Sequence, residues 1–433
     1  MSIRNLHALL APRSVAVIGA SERAGSLGEA VMANLLAGGF KGAVWPVNPR
    51  RRRVMGRECL RRVADLPEPP DVAAIVAPAR TVPGLVAELG ARGGKVAVVL
   101  TAGMDAAGRQ AMLDAARPHL LRVVGPDTIG VLAPGVGLDL SAAHLPAAPG
   151  RLALVSQSGA IATTVIDWAA ERGIGFSHVV GLGDMADVDL GDYLDLLAGD
   201  GATRAILAYF ETVPAARKFL SAARAASRLK PVIALKAGRS PAAARAAATH
   251  TGQLTGADAV AQAALRRAGV LRVHGLDEMF DAAETVARFR PLNRARAAIV
   301  TNGGGAGVLA ADRLAERGGT LAEFAPETLA ALDAALPAGW SRGNPVDLAG
   351  DAPPARYRAA LEALAADPGV DVLIAMNCPM AVSDSDAIAR EIAAMAEAGR
   401  VGRKPALACW LGGTAARAAG GRLRARGVAR FDG

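Results

Sequence analysis

The stretch Ser14-Val15-Ala16-Val17-Ile18-Gly19-Ala20-Ser21-Glu22-Arg23-Ala24-Gly25-Ser26-Leu27-Gly28 decides the fold. A short uncharged run rich in β-branched residues gives way to glycines and small polar residues, and an Ala/Leu-rich segment follows. Strand, glycine-rich turn and helix in that order open a parallel α/β sheet. The unit leaves free backbone N–H groups and the positive end of a helix at the mouth of the sheet, where an anionic group fits. Taken alone, the turn is explained equally well by tight packing of helix on strand. The dinucleotide fingerprint G-x-G-x-x-G is not met, because Ala20 and Ser21 follow Gly19. The next strand ends in Val47-Asn48-Pro49-Arg50, with no acidic residue to hold a ribose. NAD is therefore disfavoured and a phosphate-rich ligand gains.

Outward from that unit the same grammar recurs. Strands are expected at residues 14–18, 43–47, 72–76, 96–100 and 122–124, a complete doubly wound domain. After a Pro/Gly-rich connector at Leu145 to Gly150, the pattern restarts at Leu152-Ala153-Leu154-Val155 and continues at residues 179–180, 205–209 and 232–235. A polar, basic connector at Pro291 to Arg296 precedes a third round, with strands at residues 297–300, 372–376 and 406–410. The fold class is α/β: a Rossmann-like domain over 1–145, then two flavodoxin-like doubly wound parallel-sheet domains over 146–290 and 291–433.

Composition narrows the function. With 433 residues and 52% hydrophobic types, the chain is long and apolar enough for several cores. No run reaches the roughly 18 apolar residues of a membrane span, and Met1 to Leu10 has no secretory h-region, so a cytoplasmic location is expected. Cys59, Cys378 and Cys409 are far apart and form no C-x-x-C pair, so they read as small core residues, with neither a disulfide framework nor a metal site. The net charge of +9 comes with only 3% aromatics, which disfavours nucleic acid and suits an anionic small ligand. Arg50-Arg51-Arg52-Arg53 reads as a solvated loop whose interest lies in its position beside a phosphate ligand.

Two later turns repeat the strand, turn, helix arrangement. Ser156-Gln157-Ser158-Gly159 sets small hydroxyl residues at a helix start, where they either cap the helix or bind phosphate. Thr301-Asn302-Gly303-Gly304-Gly305-Ala306-Gly307 does the same, and three consecutive glycines are costly unless backbone must approach something closely. Among six histidines, His250 stands apart, in the Gly- and Thr-rich Ala248-Thr249-His250-Thr251-Gly252-Gln253-Leu254-Thr255-Gly256, read as a loop between two Ala-rich helices. A lone histidine is more often structural than nucleophilic, and His7, His119, His144, His178 and His274 are read that way.

Taken together, these loops resemble the NDP-forming acyl-CoA synthetases, relatives of succinyl-CoA synthetase, over Leu9 to Gly433. The carriers are Val17 to Ser21, Val47 to Pro49, Gly-Pro-Asp at Gly125 to Asp127, Ser156 to Gly159, Gly-Asp-Met-Ala-Asp at Gly183 to Asp187, Glu211 after a strand, Thr-His-Thr-Gly at Thr249 to Gly252, and Asn-Pro-Val-Asp at Asn344 to Asp347. The resemblance implies that the first domain binds CoA, the second presents a transiently phosphorylated histidine, and the third adds a phosphate-facing helix. CoA contacts are expected from Gly19, Ala20, Ser21, Asn48, Pro49, Pro78, Thr101, Ala102, Gly103, Gly125 and Pro126. Phosphate contacts are expected from Ser156, Gln157, Ser158 and Gly159 and from Gly303, Gly304 and Gly305.

The implied reaction converts acyl-CoA and phosphate to an acyl phosphate, passes the phosphoryl group to His250, and delivers it to ADP; reversed, it makes acyl-CoA from acid and ATP. Phosphoryl transfer through imidazole needs a neutral ring nitrogen and a carboxylate for the other N–H. Glu211 is the candidate orienter, or else it caps the helix that follows. Asp127 and Asp184 stand where members of that family usually carry Asn, and a carboxylate there repels phosphate unless it points away or pairs with Arg. No ATP-grasp segment follows, so ATP, ADP and Mg are expected on a partner subunit or further segment. The third domain reads as truncated, and an oligomer is expected. The competing reading is a regulatory acyl-CoA-binding module of a protein lysine acetyltransferase fusion; retention of His250 favours the ligase.

Overall fold

The computed structural model describes residues 3–251, 256–289, 292, 295–402, 404–426 and 428–431. Within it the chain forms two compact units, residues 1–283 and 284–433. The first unit contains two sheets. Strands β1 (Ser14–Ile18), β2 (Ala43–Val47), β3 (Val72–Ile75), β4 (Val96–Val99) and β5 (Arg122–Val124) make an all-parallel sheet in the order β2-β1-β3-β4-β5. Every residue of β1, β3 and β4 is buried, as helices on both faces require of a parallel sheet. These strands match the sequence reading to within a residue.

The second sheet is mixed where an all-parallel one was expected. It joins β6 (Gly130–Ala133), β7 (Leu138–Ser141), β8 (Pro149–Ser156), β9 (Phe176–Gly181), β10 (Ala205–Phe210), β11 (Val232–Lys236) and β12 (Leu271–Val273) in the order β12-β11-β10-β8-β9-β6-β7. The hairpin β6–β7 lies within the residues read as the first domain, yet it pairs antiparallel with β9. All eight of its strand residues are buried, so it needs cover on both faces. The first domain supplies part of that cover: from the helix Leu27–Ala37, the Asn34 amide donates to the carbonyls of Ser141 and Ala143, both at 2.9 Å.

A seam joins the two sheets. The N–H groups of Asp184, Ala186 and Val188 donate to the carbonyls of Pro126 (2.9 Å), Gly125 (3.1 Å) and Val123 (3.1 Å). Arg122 reaches across to Asp187 at 2.9 Å and to Asp192 at 3.4 Å. Asp192 is fully buried and also takes Lys218 at 3.0 Å, so its charge is compensated by two cations, as a buried carboxylate requires.

The second unit is built around a third, wholly parallel sheet. Strands β13 (Arg296–Thr301), β14 (Thr320–Leu321), β15 (Val346–Asp347), β16 (Val372–Asn377), β17 (Ala406–Trp410) and β18 (Ala429–Phe431) run in the order β14-β13-β16-β17-β18, with β15 pairing on β13. Its core holds the fully buried Tyr357 and Trp410. Of the cysteines read as core residues, Cys59 is buried, whereas Cys378 and Cys409 are only partly so.

Asp139 of β7 is buried, accepting from the N–H of Ser141 at 3.1 Å and from its hydroxyl at 2.6 Å. Burial raises its pKa from 3.8 to about 6, the Ser141 bonds offsetting only part of that cost. Because the folded-state pKa lies above the ordinary value, protonation favours the fold. That contribution is complete below about pH 4 and is lost as the pH rises through about 6. Asp139→Asn, which keeps an acceptor and removes the charge, is expected to be more stable than the parent by about 2 kcal/mol near pH 8, with the gain vanishing near pH 4. Urea unfolding at the two pH values checks this; a gain that grows on acidification contradicts it.

Candidate functional site

In the order β2-β1-β3-β4-β5, the connections from β1 and β3 leave in opposite directions, and a crevice opens between them at the carboxyl edge of the sheet. Gly19 makes that turn possible. Its φ is 94°, and a Cβ there would lie 2.6 Å from the Val76 carbonyl oxygen, so no other residue fits without moving the backbone of the neighbouring strand end. Asn48 fixes the opposite wall, donating from its amide to the Ala20 carbonyl at 2.8 Å and accepting from the Arg50 N–H at 2.9 Å. Thr101 ties β4 to β3 through the Ala77 carbonyl at 2.7 Å.

The resulting cavity has a volume of about 910 Å³. Gly19, Ser21, Asn48, Pro49 and Pro78, all picked out from sequence, line it together with Arg23, Arg50, Arg61, Arg62 and Arg80. Five guanidinium groups around a crevice of this size suit a ligand with several phosphates. Arg62 is partly neutralised by Asp65 at 3.0 Å. Ala20 is completely buried and packs beneath the turn instead of facing the cavity.

A second cavity, of about 390 Å³, shares Leu27 with the first. It is lined by Leu100, Ala102, Ile129 and Ala142, by Asp127, Gly183 and Asp184 of the seam, and by Gln157, Ser158, Gly159 and Glu211. Thr101, Gly103, Gly125 and Pro126 line neither cavity; Gly125 and Pro126 serve the seam through their carbonyls. The helix Gly159–Glu171 begins at this second cavity. Ser158 caps it, its hydroxyl accepting from the Ile161 N–H at 3.3 Å. Ser156 is buried, with its hydroxyl turned onto the Ser158 backbone. Both hydroxyls thus shape the turn, and the N–H groups that follow remain to meet an anion.

Gln157, expected among the phosphate contacts, lines the cavity and holds the neighbouring loop. Its side-chain oxygen accepts from the N–H groups of Glu211 at 2.8 Å and Thr212 at 3.1 Å, and its amide donates to the Thr212 hydroxyl at 3.1 Å. Glu211 is 8% exposed and accepts from the Tyr209 hydroxyl at 3.3 Å. Burial, reinforced by Glu211, pushes that hydroxyl up to about 12, so it stays a neutral donor. The alternative role for Glu211 is not the one it takes: the next helix, Ala216–Leu229, begins at Ala215 without a side-chain cap.

Asp184 pairs with Arg109 at 3.1 Å, and Arg109 also donates to the Met104 carbonyl. Burial raises the Asp184 pKa, Arg109 pulls it down and Asp127 pushes it up again. The Arg pairing that the sequence reading required is thus met at Asp184, whereas Asp127 has no such partner among the described residues. Leu27, Ile129 and Arg109 carry no signal in the sequence that marks them as part of this site.

The helix Pro241–Thr251 extends through His250, where a loop was expected, because the Ala-rich run before it continues into Thr249-His250-Thr251. The His250 side chain and residues 252–255 lie outside the described residues. In the second unit, Gly303 opens the helix Gly304–Glu316 without a side-chain cap. The close approach that the glycines permit comes from side chains: a Cβ at Gly303 would lie 2.6 Å from Cys378 Sγ, and one at Gly304 2.7 Å from Asp347 Oδ2. Gly305 faces open space.

Three family descriptions match successive parts of the chain: a CoA binding domain over residues 13–134, a succinyl-CoA ligase like flavodoxin domain over 149–286 and a ligase-CoA domain over 297–432. Together with the two cavities that share Leu27 as a wall, they define a CoA-binding chain of the acid–thiol ligase type. The chain is 36% identical to subunit alpha of acetate–CoA ligase [ADP-forming] I from Pyrococcus furiosus, across 99% of this chain and 94% of that subunit. It is 37% identical to acetate–CoA ligase [ADP-forming] I from Archaeoglobus fulgidus, spanning 98% of this chain but 61% of that relative's length. The dinucleotide-forming acetyl-coenzyme A synthetase 1 of Candidatus Korarchaeum cryptofilum, solved with phosphate and ADP, superposes with a TM-score of 0.94 at 32% identity, covering 98% of this chain and 93% of that one. The chain belongs to the ADP-forming acetate–CoA ligase family.

Gln157→Ala removes the bonds that its side-chain oxygen accepts from the Glu211 and Thr212 N–H groups, and a contact of this kind contributes about 1 kcal/mol or more. Slower phosphorylation of the chain, with CoA affinity within about twofold of the parent, is expected; calorimetry with CoA and a rapid-quench phosphorylation assay check it. Loss of CoA binding with phosphorylation intact contradicts it.

Proposed function

We propose that the chain is the CoA-binding and phosphoryl-carrying part of an ADP-forming acyl-CoA synthetase. The observation that carries this reading is the pair of cavities meeting at Leu27: one suits an elongated polyphosphate ligand, and the other leads to a helix N-terminus. The phosphates of CoA belong with Arg50, Arg80 and the turn at Gly19, and the pantetheine arm runs past Leu27. Attack of phosphate on the thioester carbonyl breaks the C–S bond, releases CoA and leaves an acyl phosphate. The N–H groups after Ser158 stabilise the phosphoryl oxygens there. His250 takes the phosphoryl group on a ring nitrogen, the carboxylate leaving as free acid, and Glu211 accepts from the ring's other N–H.

ADP, with Mg, then receives the phosphoryl group on an ATP-grasp partner, and the setting is cytoplasmic, where CoA and nucleotides are present together. Among the described residues no helix is long and apolar enough to cross a membrane. The alpha-subunit name of the Pyrococcus furiosus relative supports a two-subunit arrangement. The relatives reported above are named as ligases and synthetases, so the acetyltransferase-fusion alternative gains no support.

With an ATP-grasp subunit and radiolabelled ATP, the parent chain is expected to acquire acid-labile label and His250→Ala to acquire none, with CoA affinity nearly intact, because neither Thr249 nor Thr251 supplies a nitrogen nucleophile. Glu211→Gln is expected to slow labelling by about tenfold to a thousandfold. Labelling of His250→Ala at the parent rate would show another carrier. In calorimetry the chain should bind CoA and not NAD, and the reverse preference would overturn the cavity assignment.

A further inference from the structure

The walls of the smaller cavity are unequal in charge. Leu27, Leu100 and Ile129 make an apolar side, while Asp127, Asp184 and Glu211 bring three carboxylates, of which Asp184 is paired with Arg109. Asp127 is different from the other two. It is exposed, and among the described residues no hydrogen bond or ion pair reaches its carboxylate, although its N–H is anchored on the Thr101 carbonyl at 3.0 Å. Its backbone is held with φ at 56° between the first sheet and the seam, so the carboxylate sits on a fixed part of the cavity wall.

We propose that Asp127 is a specificity-determining residue that selects acyl groups whose tail carries a hydrogen-bond donor, such as a hydroxyl, and rejects dicarboxylic acids. This inference rests on the reading of the smaller cavity as the acyl site. With the reacting carboxyl or thioester directed at the helix N-terminus after Ser158, the acyl tail extends along the apolar side toward the seam. A methyl at the end of that tail removes water from Asp127 and returns nothing. A hydroxyl at the same place donates to a charged acceptor, a stronger bond than one between neutral groups. A second carboxylate at the end of the tail meets the unpaired carboxylate of Asp127 and is repelled by it.

Three acyl-CoA thioesters of matched length separate these cases without a partner subunit: butyryl-CoA, γ-hydroxybutyryl-CoA and succinyl-CoA, each titrated calorimetrically into the full chain alongside free CoA. The parent is expected to bind γ-hydroxybutyryl-CoA about tenfold tighter than butyryl-CoA, and succinyl-CoA about tenfold weaker than butyryl-CoA. In Asp127→Asn, which tolerates the same left-handed backbone, both gaps should shrink to about threefold or less while free CoA binds as before. Equal affinities for the three thioesters in the parent, or gaps that stay at about tenfold in Asp127→Asn, would overturn the inference and leave the CoA site standing. Failure of free CoA to bind would overturn both.

Discussion

The structure of the site depends on one close approach. Gly183 follows β9, and a Cβ on it would lie 2.1 Å from the Pro126 carbonyl oxygen and 2.9 Å from the Asp127 carbonyl carbon. Only glycine lets the end of the second sheet lie directly on the loop that leaves the first. Once it does, the backbone bonds from Asp184, Ala186 and Val188 to Pro126, Gly125 and Val123 form as a set. Arg122, Asp187, Asp192 and Lys218 complete it with paired charge. The carboxyl edges of two separate sheets are thereby held at a fixed spacing, and the smaller cavity is the space left between them.

That constraint explains which polar side chains are engaged by the protein's own backbone. A turn that brings backbone N–H groups to a cavity has to be shaped by side-chain bonds behind it, and Asn48, Thr101, Ser156 and Gln157 are used in that way. The proposed function accordingly assigns ligand chemistry to backbone N–H groups, to the arginines on the rim and to the carboxylates on the seam. Small polar residues beside a glycine-rich turn are ambiguous from sequence for this reason: a hydroxyl or amide satisfying the loop has the same signature as one satisfying a ligand.

Much of the architecture was legible because parallel strands buried on both faces read as short apolar, β-branched runs between turn residues, as Ser14 to Ile18 and Val96 to Val99 do. The hairpin Gly130–Ser141 escaped notice because its strands are short and its pairing partner, β9, comes some forty residues later along the chain. The helical state of His250 was hidden by threonines and a following glycine, which favour turns over helix when judged locally. Arg109 could not have been found at all. It stands on an ordinary amphipathic helix, and only the tertiary fold brings it to Asp184.

The central claim is that the two cavities form one path, with the phosphates of CoA at one end and the reacting carbonyl at the other. A crystal structure of the chain with acetyl-CoA tests it most directly. The account predicts the adenosine phosphates among Arg50, Arg80 and the turn at Gly19, the pantetheine arm passing Leu27, and the thioester carbonyl beside Ile129 facing the N–H groups after Ser158. A bound acetyl-CoA whose thioester points to solvent from the larger cavity, with the smaller cavity holding no part of it, would contradict the account.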